Sequence, residues 1–248
     1  MATTTIPATL KLTANEFVKR LKSYQTDADK EKVQRYFKSN GKAGSGDTFM
    51  GVRMGQVFLV GKEFIEMPLQ EIEKLLVNPI HEVRAGAVSI MDWQARRKKT
   101  PDERRKELYD LYLMQHAGIN NWDLVDRGAM YVIGGYLFDK KRDALYKLAK
   151  SKNIWERRTA IVSTGYFIRQ CDLDDTFKIA EALLKDSEDL IHKATGWMLR
   201  FAGDKDKKRL VLFLEQHGAT MPRTMLRYAI EKFDKKERER FLGLKKAG

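Results

Sequence analysis

A carboxylate and two tryptophans stand at helical spacings that suit the binding of a cation. Asp126 follows Trp122 by four residues, so on a helix the two side chains share one face, one turn apart. Trp197 follows the basic residue Lys193 at the same interval. Because indole faces attract cations and a carboxylate adds negative charge, these side chains together can hold a positively charged ligand. Core packing is the alternative for each tryptophan, since apolar residues at helical spacing often face the interior.

Basic residues recur along the same helical segments. Five segments align as the second helices of successive helix pairs, and they begin at His81, Asn121, Trp155, Ile191 and Met221. One aligned position holds Arg84, Asp126, Arg158, Lys193 and Arg223, and further arginines near these helices are Arg53, Arg97, Arg127, Arg157, Arg200 and Arg227. A surface lined by arginine and lysine neutralises nucleic-acid phosphates, which makes binding salt-dependent. Solvation of ordinary helix surfaces is the alternative for any single residue.

Asp126 is the exception in this basic position. An isolated carboxylate repels a polyanion, so it has either an ion-pair partner, such as Arg158, or a chemical task. In nucleic acids, suitable cations are an N-alkylated purine and the oxocarbenium-like sugar that forms as such a base departs. A carboxylate stabilises this sugar and orients or deprotonates the attacking water.

The composition indicates a folded, helical protein with a polyanionic partner. The chain has 248 residues, with 47 Lys and Arg against 34 Asp and Glu, and a formal net charge of +13. The single cysteine, Cys171, excludes an internal disulfide, and the four separated histidines do not form a metal-binding motif. The first residues do not resemble a secretory signal, and no apolar run is long enough to span a membrane. We therefore expect a monomeric cytoplasmic protein that needs no metal.

Apolar residues recur at helical intervals from Leu69 onward, and no stretch alternates with a period of two. Earlier helices are predicted over 13–23 and 28–39, with a glycine-rich loop over 40–55. Because helix pairs repeat, we predict an all-α fold: a single right-handed α-α superhelix of HEAT-like repeats with a concave basic groove. The predicted divisions of the chain are a flexible tail over 1–12, the repeat domain over 13–242 and a second tail over 243–248.

Charged clusters outside these helices have simpler interpretations. Asp172, Asp174 and Asp175 precede a predicted helix and are expected to cap it rather than to bind calcium. The runs at 205–209 and 234–240 are interpreted as solvated helix ends, with nonspecific DNA contact as the alternative.

The sequence resembles the AlkD-like DNA alkylation-repair glycosylases, a family built from HEAT-like repeats. The resemblance runs from about Phe17 to Phe233. It is sharpest in the blocks NNWDLVD (120–126), NIWERRTAI (153–161) and HKATGWMLR (192–200). Members of this family hydrolyse the N-glycosidic bond of 7-methylguanine and 3-methyladenine in duplex DNA, without metal or cofactor. The resemblance therefore implies a monofunctional glycosylase of base excision repair, associated with the nucleoid when bound to DNA.

The matching motifs also imply roles for individual residues. The family's catalytic carboxylate falls on Asp126, its lesion-contacting aromatic residues fall on Trp122 and Trp197, and its arginine beside the lesion backbone falls on Arg158. Tyr36, in QRYFKSN, is similar to a tyrosine that grips the DNA. Contacts to the DNA backbone are expected from Arg53, Arg84, Arg157, Lys193, Arg200, Arg223 and Arg227. The FMGVRMGQ segment (49–56) departs from the proline-containing version common in the family.

Two other functions are compatible with a basic helical repeat. A noncatalytic module that binds damaged or branched DNA needs the groove, but it does not need the carboxylate and the indoles. A scaffolding protein binds an acidic protein partner in the same groove, and DNA then fails to compete. Asp126 and the two tryptophans favour the enzyme.

Overall fold

The computed structural model describes residues 10–38 and 47–244, and every regular element in this part of the chain is a helix. The sole extended pairing among these residues is an isolated bridge between Thr48 and Ile80. The prediction of an all-α fold is therefore confirmed. The chain divides into two compact units, residues 1–94 and 95–248.

The first unit contains α1 to α4 and most of α5. Their bounds are α1 Ala14–Lys22, α2 Asp27–Lys38, α3 Met54–Glu63, α4 Leu69–Leu76 and α5 His81–Arg96. Helix α1 begins after Thr13, whose side chain accepts a hydrogen bond from the Glu16 amide and satisfies a donor that the helix leaves open. It packs against α3 and α4, with the Phe17 and Phe64 rings edge to face and 5.2 Å apart.

Helix α3 begins inside the stretch predicted as a loop. The glycines of α3 weaken the helical pattern of the sequence, because glycine is a poor helix former. Gly61 nevertheless has a packing role, since a Cβ there would lie 2.8 Å from the Trp93 ring. The preceding residues are held by Glu82, a fully buried carboxylate that accepts hydrogen bonds from the amides of Met50 and Gly51 at 2.9 and 2.8 Å. Residues 1–9 of the tail predicted over 1–12, residue 39 of the predicted second helix, residues 40–46 of the predicted loop and residues 245–248 of the second tail lie outside the described ranges.

The second unit consists of helix pairs. The first helices of the pairs are α6 Asp102–Met114, α9 Asp143–Ala149, α11 Asp174–Ala182 and α13 Lys207–His217. The second helices are α7 Trp122–Gly128 with α8 Gly135–Leu137, α10 Ile154–Arg169, α12 Asp189–Gly203 and α14 Arg223–Ala229. The last helix is α15 Lys235–Leu242. A π-helical segment, Ala129–Gly134, joins α7 to α8. Helix α10 packs against α7, the π-helical segment and α12, and α12 packs against α14. Consecutive second helices are therefore neighbours, as the repeat predicts, while the superhelix itself stays a prediction.

One interpretation of a charged cluster is wrong. Asp174 and Asp175 lie within the first turn of α11 rather than before it, and Asp175 binds Arg142 through a 2.5 Å contact. The runs at 205–209 and 234–240 are mostly exposed and lie at helix N-termini, as interpreted, where Asp206 and Asp234 cap α13 and α15 through amides of the first turn. Aspartate suits both places, since its negative charge is favourable beside the free amides of a helix N-terminus.

No described helix is both long enough and apolar enough to span a membrane.

Candidate active site

Asp126 lies near the end of α7, a helix with a well-defined start. The buried side chain of Asn121 accepts a hydrogen bond of 2.8 Å from the Trp122 amide and so caps the helix. Trp122 is the first residue of the helix and Asp126 the fifth, which places both on one face. Trp122 is partly exposed rather than buried in the core. The helix then widens into the π-helical segment, a feature that is frequent beside functional sites.

Arg158 of α10 binds both oxygens of the Asp126 carboxylate. Its Nε donates to Oδ1 and its Nη2 to Oδ2, each at 2.8 Å. Its remaining terminal nitrogen, Nη1, donates to the carbonyl of Leu190 in α12 at 2.5 Å. One guanidinium therefore ties together three consecutive second helices. The side chain of Arg158 is 6% exposed and that of Asp126 is 22% exposed, so the aspartate side chain is partly accessible and the arginine is almost fully buried.

The electrostatic surroundings of Asp126 favour a reactive carboxylate. Burial raises the pKa of its carboxyl above the ordinary value, the charge and hydrogen bonds of Arg158 lower it, and the charge of Asp123 raises it again. Burial makes the carboxylate a stronger base, while the two hydrogen bonds favour its ionised form. A base that is both strong and ionised suits proton abstraction from water.

A buried polar network lies next to this ion pair, on Thr159, the residue after Arg158. Its hydroxyl is 3.0 Å from Nε2 of His116 and 3.3 Å from the hydroxyl of Tyr112. Burial raises the pKa of Tyr112, and the charge of Asp126 raises it further. Burial lowers the pKa of His116, which favours the neutral ring. Sequence reasoning missed this network because Thr159 lies more than 40 positions from both His116 and Tyr112 and shares no motif with them.

Trp197 lies on α12, the helix that packs against α10. It is partly exposed, and Lys193, one turn earlier, pairs with Asp189 at 2.9 Å. Trp155, by contrast, is 8% exposed, as core packing requires. The elements carrying Trp122, Asp126, Arg158 and Trp197 are thus in contact, while the approach of both indoles to one ligand stays a prediction.

Two further predicted residues belong to the first compact unit. Tyr36 of α2 is 53% exposed, with its ring edge-on to Phe37 at 5.4 Å. Arg53 precedes α3 with 68% of its side chain exposed, and its Nε donates to Asp29 at 2.9 Å. Both side chains are accessible to a ligand.

Arg84 and Arg157 are not placed as backbone contacts require. Arg84 is 5% exposed, pairs with Asp47 at 2.5 Å and donates to the carbonyl of Asn78 at 2.8 Å. Arg157 is 14% exposed and pairs with Asp186 at 2.6 Å. We therefore withdraw both from the predicted DNA contacts, because their guanidinium groups are used to join segments of the protein.

The remaining basic residues are more accessible. Arg223 and Arg227 are exposed on α14, and Arg223 donates to the carbonyl of Leu242 at 2.6 Å. Arg200 is 21% exposed and pairs with Glu231. Within the described ranges, no three His, Cys, Asp or Glu side chains are grouped as a metal site requires.

Comparisons with known proteins show the family to which this chain belongs. A family model described as DNA alkylation repair enzyme matches residues 17–233. A solved structure described as a predicted DNA alkylation repair enzyme from Enterococcus faecalis has a TM-score of 0.66 and 17% identity, covering 85% of this chain and 97% of its own. Among curated proteins, none matches the chain significantly. The family match spans most of the chain and includes the helices that carry Asp126 and Arg158, so the protein belongs to the family of DNA alkylation repair enzymes.

Proposed function

We propose that this repair enzyme is a DNA glycosylase that hydrolyses the N-glycosidic bond of cationic alkylated purines in duplex DNA. The observation that carries the proposal is Asp126: a carboxylate held by two hydrogen bonds, still partly exposed, and one turn from Trp122. Lesions such as 7-methylguanine and 3-methyladenine match this site because their purine rings carry a positive charge. The proposed reaction is a step of base excision repair, and the enzyme carries it out on the nucleoid in the cytoplasm.

Departure of the purine needs little assistance from the protein, because the alkylated ring already carries a positive charge. The bond between C1′ of the sugar and the purine nitrogen breaks with its electron pair going to the purine, which departs neutral. Positive charge then develops on C1′ and the ring oxygen of the sugar, and the Asp126 carboxylate stabilises it. Water adds to C1′ and gives its proton to Asp126, which later releases it to solvent. The products are the free base and an abasic site, with the strand intact because no lysine forms a Schiff base.

Arg158 acts in this proposal as a positioning residue. Each of its three guanidinium nitrogens already donates to Asp126 or to Leu190, and the side chain is almost fully buried. It therefore orients the carboxylate and keeps it ionised. The resemblance implied instead that Arg158 lies beside the lesion backbone, where it would hold a DNA phosphate.

The tryptophans and the accessible basic residues bind the substrate in this proposal. Trp122 and Trp197 present ring faces to the cationic nucleotide. Contacts to the DNA come from Tyr36, Arg53, Lys193, Arg200, Arg223 and Arg227. The enzyme acts as a monomer, without metal or cofactor, through a single repeat domain over 13–242 with tails over 1–12 and 243–248.

Release of free base from duplex DNA containing 7-methylguanine tests the proposal. Asp126→Asn is expected to lower the rate by about 10² to 10³-fold, since it removes the charge that stabilises the transition state. Binding to the same DNA should persist or strengthen, because a repulsive carboxylate is lost. Asp174→Asn is the matched control: it removes one carboxylate from a surface ion pair with Arg209 and should leave the rate unchanged.

Two results contradict the proposal. Equal rates for the wild type and Asp126→Asn exclude Asp126 as the catalytic residue. Absence of base release by the wild type, with DNA binding intact, favours the noncatalytic module instead.

A further inference from the structure

The second unit contains a cleft that the proposed chemistry does not use. Its volume is about 580 Å³, within the usual range of about 300 to 1,000 Å³ for small-molecule sites. Its walls come from the end of α5 and the segment after it, the start of α6, the π-helical segment with α8, and α10. Neither Asp126 nor either proposed lesion-binding tryptophan lines it.

Aromatic rings and a guanidinium form one side of this cleft. The Tyr131 and Tyr166 rings meet edge to face at 5.6 Å, and the Phe138 ring is 5.7 Å from Tyr166. The guanidinium of Arg96 lies 3.9 Å from the centre of the Tyr131 ring, a stacking distance. Arg96 is exposed, so a planar ligand can reach the stack. Arginine planes and aromatic rings are the surfaces on which nucleobases stack.

Cations outnumber carboxylates by two among the lining residues. Lys140 already pairs with Asp139 at 2.9 Å and with Asp102 at 3.3 Å, which accounts for both carboxylates. Arg105 donates to the carbonyls of residues 95 and 97 and so fixes the segment after α5. The lining therefore keeps a net positive charge, and Lys98, two residues from Arg96, carries one of its charges on an exposed side chain. A phosphate group beside the aromatic side of the cleft would balance it.

We propose that this cleft binds a single nucleotide, with its base on the Arg96–Tyr131 stack and its phosphate at Lys98. The nucleotide is either a free mononucleotide or an unpaired nucleotide of a DNA strand, since the recognised chemistry is the same. Recognition by stacking tolerates any base. This site goes beyond the proposed excision, because it needs neither a lesion nor Asp126.

Calorimetric titration of the full chain with dAMP, deoxyadenosine and inorganic phosphate tests both halves of the site. The wild type is expected to bind dAMP more tightly than either part alone. Arg96→Lys keeps the charge but removes the stacking plane, so dAMP affinity should fall about tenfold and phosphate affinity should hold. Lys98→Glu should weaken both, whereas Lys185→Glu, an equal charge change at an exposed residue outside the cleft, should weaken neither.

A second arm distinguishes the two sources of the nucleotide. The same variants are titrated with a lesion-free duplex that carries one unpaired adenosine, and with the fully paired duplex. If the nucleotide comes from DNA, Arg96→Lys weakens binding of the bulged duplex about tenfold and hardly changes binding of the paired one. If it is a free mononucleotide, the two duplexes respond alike and only the dAMP titration changes.

The proposal is overturned if dAMP does not bind and the bulged duplex shows no dependence on Arg96. It is also overturned if inorganic phosphate binds as tightly as dAMP, or if Lys185→Glu weakens binding as much as Lys98→Glu. These titrations contain no lesion and measure no excision. A failure here therefore leaves the glycosylase proposal standing, and loss of excision leaves this proposal standing.

Discussion

Arg84 and Arg158 hold the same aligned position in two repeats, and their surroundings are closely alike. Each guanidinium pairs with an aspartate, and each donates to a backbone carbonyl, that of Asn78 or that of Leu190. The difference lies in the acid. The Asp47 side chain is 2% exposed, whereas that of Asp126 is 22% exposed.

This difference separates a structural ion pair from a candidate catalytic one. A fully buried pair has no route to a substrate, and its removal leaves an uncompensated charge in the interior. A pair in which the aspartate side chain is partly exposed keeps the same hydrogen bonds and leaves that side chain accessible to a ligand. The exposed fraction of the aspartate side chain, rather than the presence of the arginine, therefore distinguishes the candidate catalytic pair from the structural one.

The largest expected contrast comes from Asp47→Asn beside Asp126→Asn. Asp47→Asn removes one charge from a fully buried ion pair and should lower the free energy of unfolding by about 3 to 5 kcal/mol. Asp126→Asn should lower the rate of base release by about 10² to 10³-fold, whereas Asp47→Asn should leave the rate of the folded protein unchanged. Denaturant unfolding and single-turnover excision measure the two effects. If both variants lost stability and activity to the same extent, the distinction between the two ion pairs would be contradicted.

Arg158→Lys and Arg84→Lys sharpen the comparison while keeping each positive charge. Lysine cannot reproduce the two parallel hydrogen bonds, so Arg158→Lys should misplace Asp126 and slow excision about 10- to 100-fold. Arg84→Lys should leave the excision rate of the folded protein unchanged and lower its melting temperature. Comparable slowing in both variants would assign the effect to general destabilisation.

The pH dependence of excision reports the ionisation of Asp126 directly. The proposed reaction needs the carboxylate, so the rate should fall as pH falls through its pKa, which burial places above the ordinary value for aspartate. Because Arg158 lowers that pKa, Arg158→Lys should move the acidic limb to higher pH. Arg84→Lys serves as the control and should leave the limb in place. A limb that moves to lower pH in Arg158→Lys would reverse the inferred electrostatics.

The smallest expected effect comes from Tyr112→Phe, in the buried network beside Arg158. The change removes the contact with Thr159 but preserves the ring, so the free energy of unfolding should fall by about 0.5 to 1.5 kcal/mol. Excision should change less than about threefold, since His116 still contacts Thr159 and the ion pair is untouched. Chemical denaturation and the excision assay test this, with a loss above tenfold indicating that the network takes part in catalysis.

Much of this arrangement was predictable from the sequence, in particular where local spacing decides it. The helix over 13–23 was predicted from its polar start and apolar period, and the structure begins it after Thr13. The pairing of Asp126 with Arg158 was one of the two explanations for an acid at a basic position. The burial of Arg84 was not predictable, because its partner Asp47 lies 37 residues earlier, in a stretch without helical periodicity.

The sequence by itself determined the helical class, the excess of positive charge and the face shared by Trp122 and Asp126. Each of these follows from composition or from intervals of a few residues, which the helix geometry converts into positions. Only the tertiary structure decided which arginines are buried, which acid stays accessible and that a cleft opens between α10 and its neighbours. Those properties depend on contacts between residues far apart in the chain, and packing rather than local periodicity decides which of them meet.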